Sequence, residues 1–259
     1  MSYRTIVAVI TEHSGSTVTA SYAIALAAAT KARLVLYAAH AEGTGEKVLR
    51  RTEHHIDHLF AVAFDHGIAV TAINEIGPIT RLLPKRVLAE GADLVFYPLL
   101  PNEQYGATVQ THTVHLLLRT VGADLAVMRI MHMGKPHPHR ILVPLAGYVA
   151  DRERRTSFLA TLGQSFHAQL TLFHRLDNRK KSPPDDIAAV HNALRLQHLE
   201  VLERSSKGQI AKTIAMEAIS HHHDLIVMGA SERGMLRRLL FGNPAGDVMQ
   251  HPPCNVIIF

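Results

Sequence analysis

The sequence predicts an α/β chain built as two tandem copies of one domain, each a five-stranded parallel sheet with about four helices. Three observations carry this expectation. Short apolar runs with strand composition alternate with longer stretches of helical periodicity, as a parallel sheet with crossover helices requires. The alternation breaks off at Met131–Pro138 (MHMGKPHP), which reads as a linker, and then starts again. Asp93-Leu94-Val95 and Asp224-Leu225-Ile226 repeat an Asp-Leu-[Val/Ile] core at the fourth strand of each half, and internal repetition is strong evidence on architecture. The domains are placed at 1–133 and 139–259.

In the first half, Tyr3–Ile10 is read as a strand and Thr17–Thr30 as an alanine-rich helix with Ser16 as its N-cap. Arg33–Ala39 is the second strand. A long helix lies within Gly43–Gly67, with Val48, Ile56, Leu59, Phe60, Val62 and Ala63 on its apolar side. Ile68–Ile76 is the third strand. Ile79–Glu90 is a helix with Pro84 inside the span, which leaves a kink or a late start open. Asp93–Tyr97, a helix at Val109–Val121 and Leu125–Ile130 complete the half.

In the second half, Arg140–Leu145, Asp151–Phe166 and Gln169–His174 echo the first strand, helix and strand of the first half. A helix at Asp185–Leu196, a strand at His198–Glu203 and a helix at Gln209–Ser220 follow. Leu225–Met228 is a short strand between Asp224 and Gly229. Gly242-Asn243-Pro244 then combines a glycine, a capping residue and a proline at the first helical position, so a helix begins there. His251-Pro252-Pro253 stops it, and Asn255–Phe259 is the last strand.

The run Asp224–Phe259 resembles the C-terminal part of a universal stress protein domain, whose pattern is G-x-x-G-x9-G-[S/T]. Gly229 and Gly242 stand 242 − 229 = 13 positions apart, as that pattern requires. Glu232 replaces its second glycine and Asn243 its serine or threonine. The resemblance extends over nearly the whole chain as a tandem type. It implies Rossmann-like domains of the adenine nucleotide alpha hydrolase kind, paired through their last strands as an internal pseudo-dimer, with homodimerisation and a protein partner left open.

In that family, backbone N–H groups of the glycine loop and a helix start hold the phosphates of ATP, and an Asp after the first strand lies near the base and ribose. The resemblance assigns Pro144, Ala146, Gly229, Ser231, Gly242 and Asn243 to such a site, for ATP or ADP, in the second half. The family's Asp falls on Ile10 and Ala146, so both carboxylates are missing. Pro98, Pro101 and the pair Thr111-His112 take the motif positions of the first half, and the prolines remove N–H donors, so that half is read as unable to bind a nucleotide. In the second half two readings stand. Arg233, Arg237 and Arg238 offer cations to a phosphate. Against this, Glu232 brings like charge, and Gly242-Asn243-Pro244 could simply start a helix.

Composition bounds the remaining classes. The chain has 259 residues, 47% hydrophobic and 19% charged, which suits a globular core rather than disorder. A single cysteine, Cys254, excludes an internal disulfide, fits a reducing compartment and is read as a buried apolar side chain. Met1–Ile10 lacks a signal-peptide plan, and no apolar run nears the roughly 18 residues that span a bilayer, so a soluble cytoplasmic protein without membrane insertion is expected. The net charge of +5 is scattered and aromatics are 5%, which argues against nucleic-acid binding.

Of the 19 histidines, His54 and His58 share a helix face, while His221-His222-His223 and the group His132, His137 and His139 form two further clusters. None comes with a His-Glu-x-x-His or paired-cysteine pattern, so no metal site is assigned. No nucleophile, base and orienting residue stand in a catalytic spacing, and Ser14 and Ser16 read as turn and cap residues. The function expected is a non-catalytic stress or signalling module. A slow ATP hydrolase and a ligand-free dimerisation module are the alternatives.

Overall fold

The computed structural model describes residues 3–99, 107–133, 137–145, 149, 151–175, 185–229 and 252–259. The chain divides into two compact units, Ser2–Pro136 and His137–Phe259. In the first unit the elements run β1 (Thr5–Val9), α1 (Ser14–Thr30), β2 (Arg33–His40), α2 (Glu46–Asp65), β3 (Val70–Ile76), α3 (Ile79–Glu90), β4 (Leu94–Leu99), α4 (Ala107–Thr120) and β5 (Asp124–Arg129). The second unit contains β6 (Arg140–Leu145), α5 (Arg152–Phe166), β7 (Gln169–Arg175), α6 (Asp185–Arg195), β8 (Val201–Ser206), α7 (Ile210–Ser220), β9 (Leu225–Met228) and β10 (Asn255–Ile258).

Strand order is β3-β2-β1-β4-β5 in the first unit and β8-β7-β6-β9-β10 in the second. The pairings described within each unit are parallel. This is the α/β fold with one parallel sheet per unit that the alternation of apolar runs predicts. All of β1, β9 and β10 is buried, as expected of strands covered on both faces. By contrast β3 and β8 lie at sheet edges and are mostly half-buried or exposed.

Three details differ from the sequence reading. The strand expected at His198–Glu203 begins at Val201, because His198 adopts φ 61° to end the turn after α6. Leu199, which looked like a strand residue, packs instead beside Gly163 of α5, where a Cβ would lie 2.9 Å from its Cδ2. Ser16 is not the cap of α1: the helix starts at Ser14 with His13 before it, and the Ser16 hydroxyl accepts the Thr11 N–H at 3.1 Å. On α2 the buried stripe is Thr52, Ile56, Leu59 and Ala63, and Phe60 lies outside it. The helix α3 spans Ile79–Glu90 as expected, with Pro84 inside it, so of the two possibilities Pro84 left open the late start does not occur.

A connected polar chain ties β2, β3 and α3 together. The Tyr37 hydroxyl, on a fully buried ring, donates to Glu75 at 2.8 Å. Arg86 donates to Glu75 at 2.5 Å and to Glu90 at 3.4 Å, and Arg33 donates to Glu90 at 2.9 Å. The Arg86 hydrogen bond holds the Glu75 carboxyl below its ordinary range, while burial and then Glu75 push the Tyr37 hydroxyl up.

The repeated aspartate has the same job in both units. Asp93 accepts the backbone N–H groups of Arg4 at 2.9 Å and Thr5 at 3.1 Å, and its own N–H donates to Thr5 O at 3.0 Å. Asp224 accepts those of His139 at 3.0 Å and Arg140 at 3.2 Å, and its N–H donates to Arg140 O at 2.9 Å. Each carboxylate locks the starts of two neighbouring central strands together. Asp93→Ala and Asp224→Ala are each expected to lower unfolding stability by about 1–3 kcal/mol, with the asparagine variants losing less, as measured by urea denaturation of the full chain.

Candidate functional site

In both units the strand order turns back beside the first strand, between β1 and β4 and between β6 and β9. Such a reversal leaves a crevice at the carboxyl ends of the two strands, where parallel α/β folds take their ligands. In the second unit this crevice is bounded by Pro144 and Leu145 at the end of β6 and by Gly229 directly after β9.

The fourth residue of α5, Arg155, lies between them. It is buried at 6% exposure, and its Nη2 donates to the Pro144 carbonyl at 3.2 Å. Its Nη1 lies 2.5 Å from the point a Cβ on Gly229 would occupy. A buried guanidinium is costly unless hydrogen-bonded, and the Pro144 carbonyl supplies one such bond. The start of α5 is held by Asp186, the second residue of α6, whose carboxylate accepts the Val149 N–H and an Arg152 N–H, each at 3.0 Å. Farther along, the Phe158 ring stacks on Phe259 at 3.9 Å and an interplanar angle of 4°, fixing α5 to the end of the last strand.

Of the residues assigned to the site from sequence, Pro144 and Gly229 are brought to this common neighbour. Ala146, Ser231, Gly242 and Asn243 lie outside the described residues, as do Glu232, Arg233, Arg237, Arg238 and the helix expected from Gly242. Arg155 was missed. Its signal was a cation within an otherwise helical, partly apolar stretch, which reads on sequence alone as a solvated face.

The first unit closes its crevice differently. Val9 and Pro144 hold equivalent registers, since Val9 pairs with Tyr37 as Pro144 pairs with Phe173. Counting on from there sets Thr11, not Ile10, opposite Ala146, a one-residue correction that still leaves no carboxylate. Ile10 is buried and donates its N–H to Tyr37 O at 2.8 Å. The turn after it bonds to itself and to α2. The Ser16 hydroxyl lies 2.8 Å from His13 O, the His13 N–H donates to the Thr11 hydroxyl at 3.2 Å, and His55 Nδ1 lies 2.9 Å from Thr11 O. Pro98 is buried within β4, opposite Met128. Pro101 lies outside the described residues, and the pair Thr111-His112 falls in α4.

A profile of the universal stress protein family matches residues 138–259. The fold of the whole chain is similar to that of a universal stress protein from Archaeoglobus fulgidus, with 12% sequence identity and a TM-score of 0.65 over 100% of this chain and 96% of that one. It is also similar to that of a functionally unknown protein from Pseudomonas aeruginosa, with 17% identity and a TM-score of 0.62 over 99% of this chain and 92% of that one. At such identities the likeness is one of fold. No curated protein matches the chain.

His139 and His221–His223 stand before the amino ends of β6 and β9, whereas His174, near the end of β7, pairs in register with Leu145. His54 and His58 are exposed on α2, and among the described residues no group of three or more His, Cys, Asp or Glu is placed to hold a metal ion. Cys254 is buried. His223, just before β9, is buried, and burial pushes its imidazole down to about 4, with a hydrogen bond to the Glu217 backbone opposing. In the unfolded chain it titrates near its ordinary value, about 6.5. Unfolded protein therefore binds the extra proton first, and stability is lost as pH falls from about 6.5 toward 4. Denaturant midpoints measured across that window should fall less steeply for His223→Gln than for the wild type; equal slopes would contradict this.

Proposed function

We propose that this chain, which belongs to the universal stress protein family through its second half and has that fold throughout, is a non-catalytic stress-response or signalling module. Its second unit holds an adenine nucleotide weakly, and nucleotide occupancy changes its contacts with a protein partner in the cytoplasm. The observation that carries the reading is the crevice between β6 and β9. Gly229 stands at its edge, at the first position of the family's glycine pattern and within the matched region. The first unit supports a structural role for itself, with Pro98 at the equivalent place and a turn whose polar groups bond to one another. The absence of a catalytic spacing in the sequence favours binding over turnover.

Calorimetric titration of the full chain with ATP and ADP should give one weak site per chain, in the micromolar to millimolar range, that is lost in Gly242→Val. No heat with millimolar nucleotide would sink the binding reading. Phosphate release above the Gly242→Val background would replace it with slow hydrolysis.

A further inference from the structure

Gly229 carries no positive φ, so its backbone conformation does not require glycine. What requires it is space. A Cβ at this position would stand 2.5 Å from Arg155 Nη1, 3.0 Å from Cζ and 3.2 Å from Nη2. An arginine tip in open solvent would swing aside. This one is 6% exposed and bonded to the Pro144 carbonyl, so moving it breaks a hydrogen bond in a low-dielectric setting.

The first unit provides an internal comparison. Both units end their first helix on a left-handed residue, Lys31 after α1 and His167 after α5. Twelve residues back from each (31 − 12 = 19; 167 − 12 = 155) stand Thr19 and Arg155. Gly229 and Pro98 correspond as well, each four residues past the paired Leu225 and Leu94. Thr19 is fully buried, with its hydroxyl donating to Gly15 O at 3.0 Å within its own helix. A short side chain thus accompanies proline in one unit, and a long cationic one accompanies glycine in the other.

We propose that Arg155 is the specificity-determining residue of the second unit's crevice: its guanidinium fills the space against Gly229 that a nucleotide phosphate would need to reach the Gly229 backbone. Gly229 is small for the sake of an internal cation, and a nucleotide's phosphates are held off the Gly229 backbone, which weakens binding without abolishing it. The ligand class rests on the nucleotide reading above. The packing does not.

The test uses the full chain as wild type, Gly229→Ala, Arg155→Ala and the double variant. Gly229→Ala should lower the thermal midpoint by several degrees alone, and by less than half as much in the Arg155→Ala background. Equal losses in both backgrounds, or none in the wild type, overturn the packing. Arg155→Ala, checked for native circular dichroism, should bind ATP at least about tenfold more tightly than the wild type. ATP binding by the folded variant that is absent, equal or weaker overturns the exclusion. Arg155→Met, which keeps the stem and drops the guanidinium, serves in both arms if the alanine variant does not fold. ATP binding seen in the variant but not in the wild type would sink weak nucleotide binding by the native chain while leaving this inference standing.

Discussion

A single carboxylate at the start of the fourth strand organises each unit. Asp93 and Asp224 each accept two backbone N–H groups from the start of the neighbouring first strand, and their own N–H groups bond back to it. Those N–H groups lie where the ladder begins and would otherwise be left to solvent. The two strands joined in this way, β1 with β4 and β6 with β9, are the pair between which strand order reverses. One local interaction at the amino ends of the strands therefore fixes the register of the crevice at their carboxyl ends.

On that shared frame the two units have filled their crevices with different chemistry. The first uses short polar side chains that bond within their own turn and a proline that offers no donor. The second places a buried guanidinium against a glycine, bonded to the carbonyl of Pro144. Among the described residues the first unit carries a Glu12–His13 pair at 3.3 Å in the turn after β1, and the second carries a buried guanidinium between its strand ends. Duplication followed by divergence at the strand ends leaves the sheets alike and the sites unlike, because buried strands constrain the frame more tightly than loop-facing positions do.

The frame was legible in the sequence because its strands are fully buried. Runs such as Leu225–Met228 have no polar face to confuse with helix. Legibility failed where burial is partial. In β8 the polar residues of an edge strand carry little pattern, and Leu199 looked like a strand residue while packing into the gap beside Gly163. Phe60 sits in the helical pattern of α2 yet lies largely outside its core stripe, whereas Thr52 lies within it, its hydroxyl bonded to Val48 O at 3.1 Å. The site was the least legible part. Gly229 reads as a loop glycine by its spacing, but the reason for its small size is a side chain 229 − 155 = 74 residues earlier. A long-range contact of that kind leaves no local pattern.

In the proposed reading the two copies of one fold differ in that the second alone binds a nucleotide. The most direct measurement is a native mass spectrum of the full chain with ATP added at millimolar concentration. A single added adenine nucleotide per chain is expected. Two nucleotides per chain, or an unchanged mass, would contradict it.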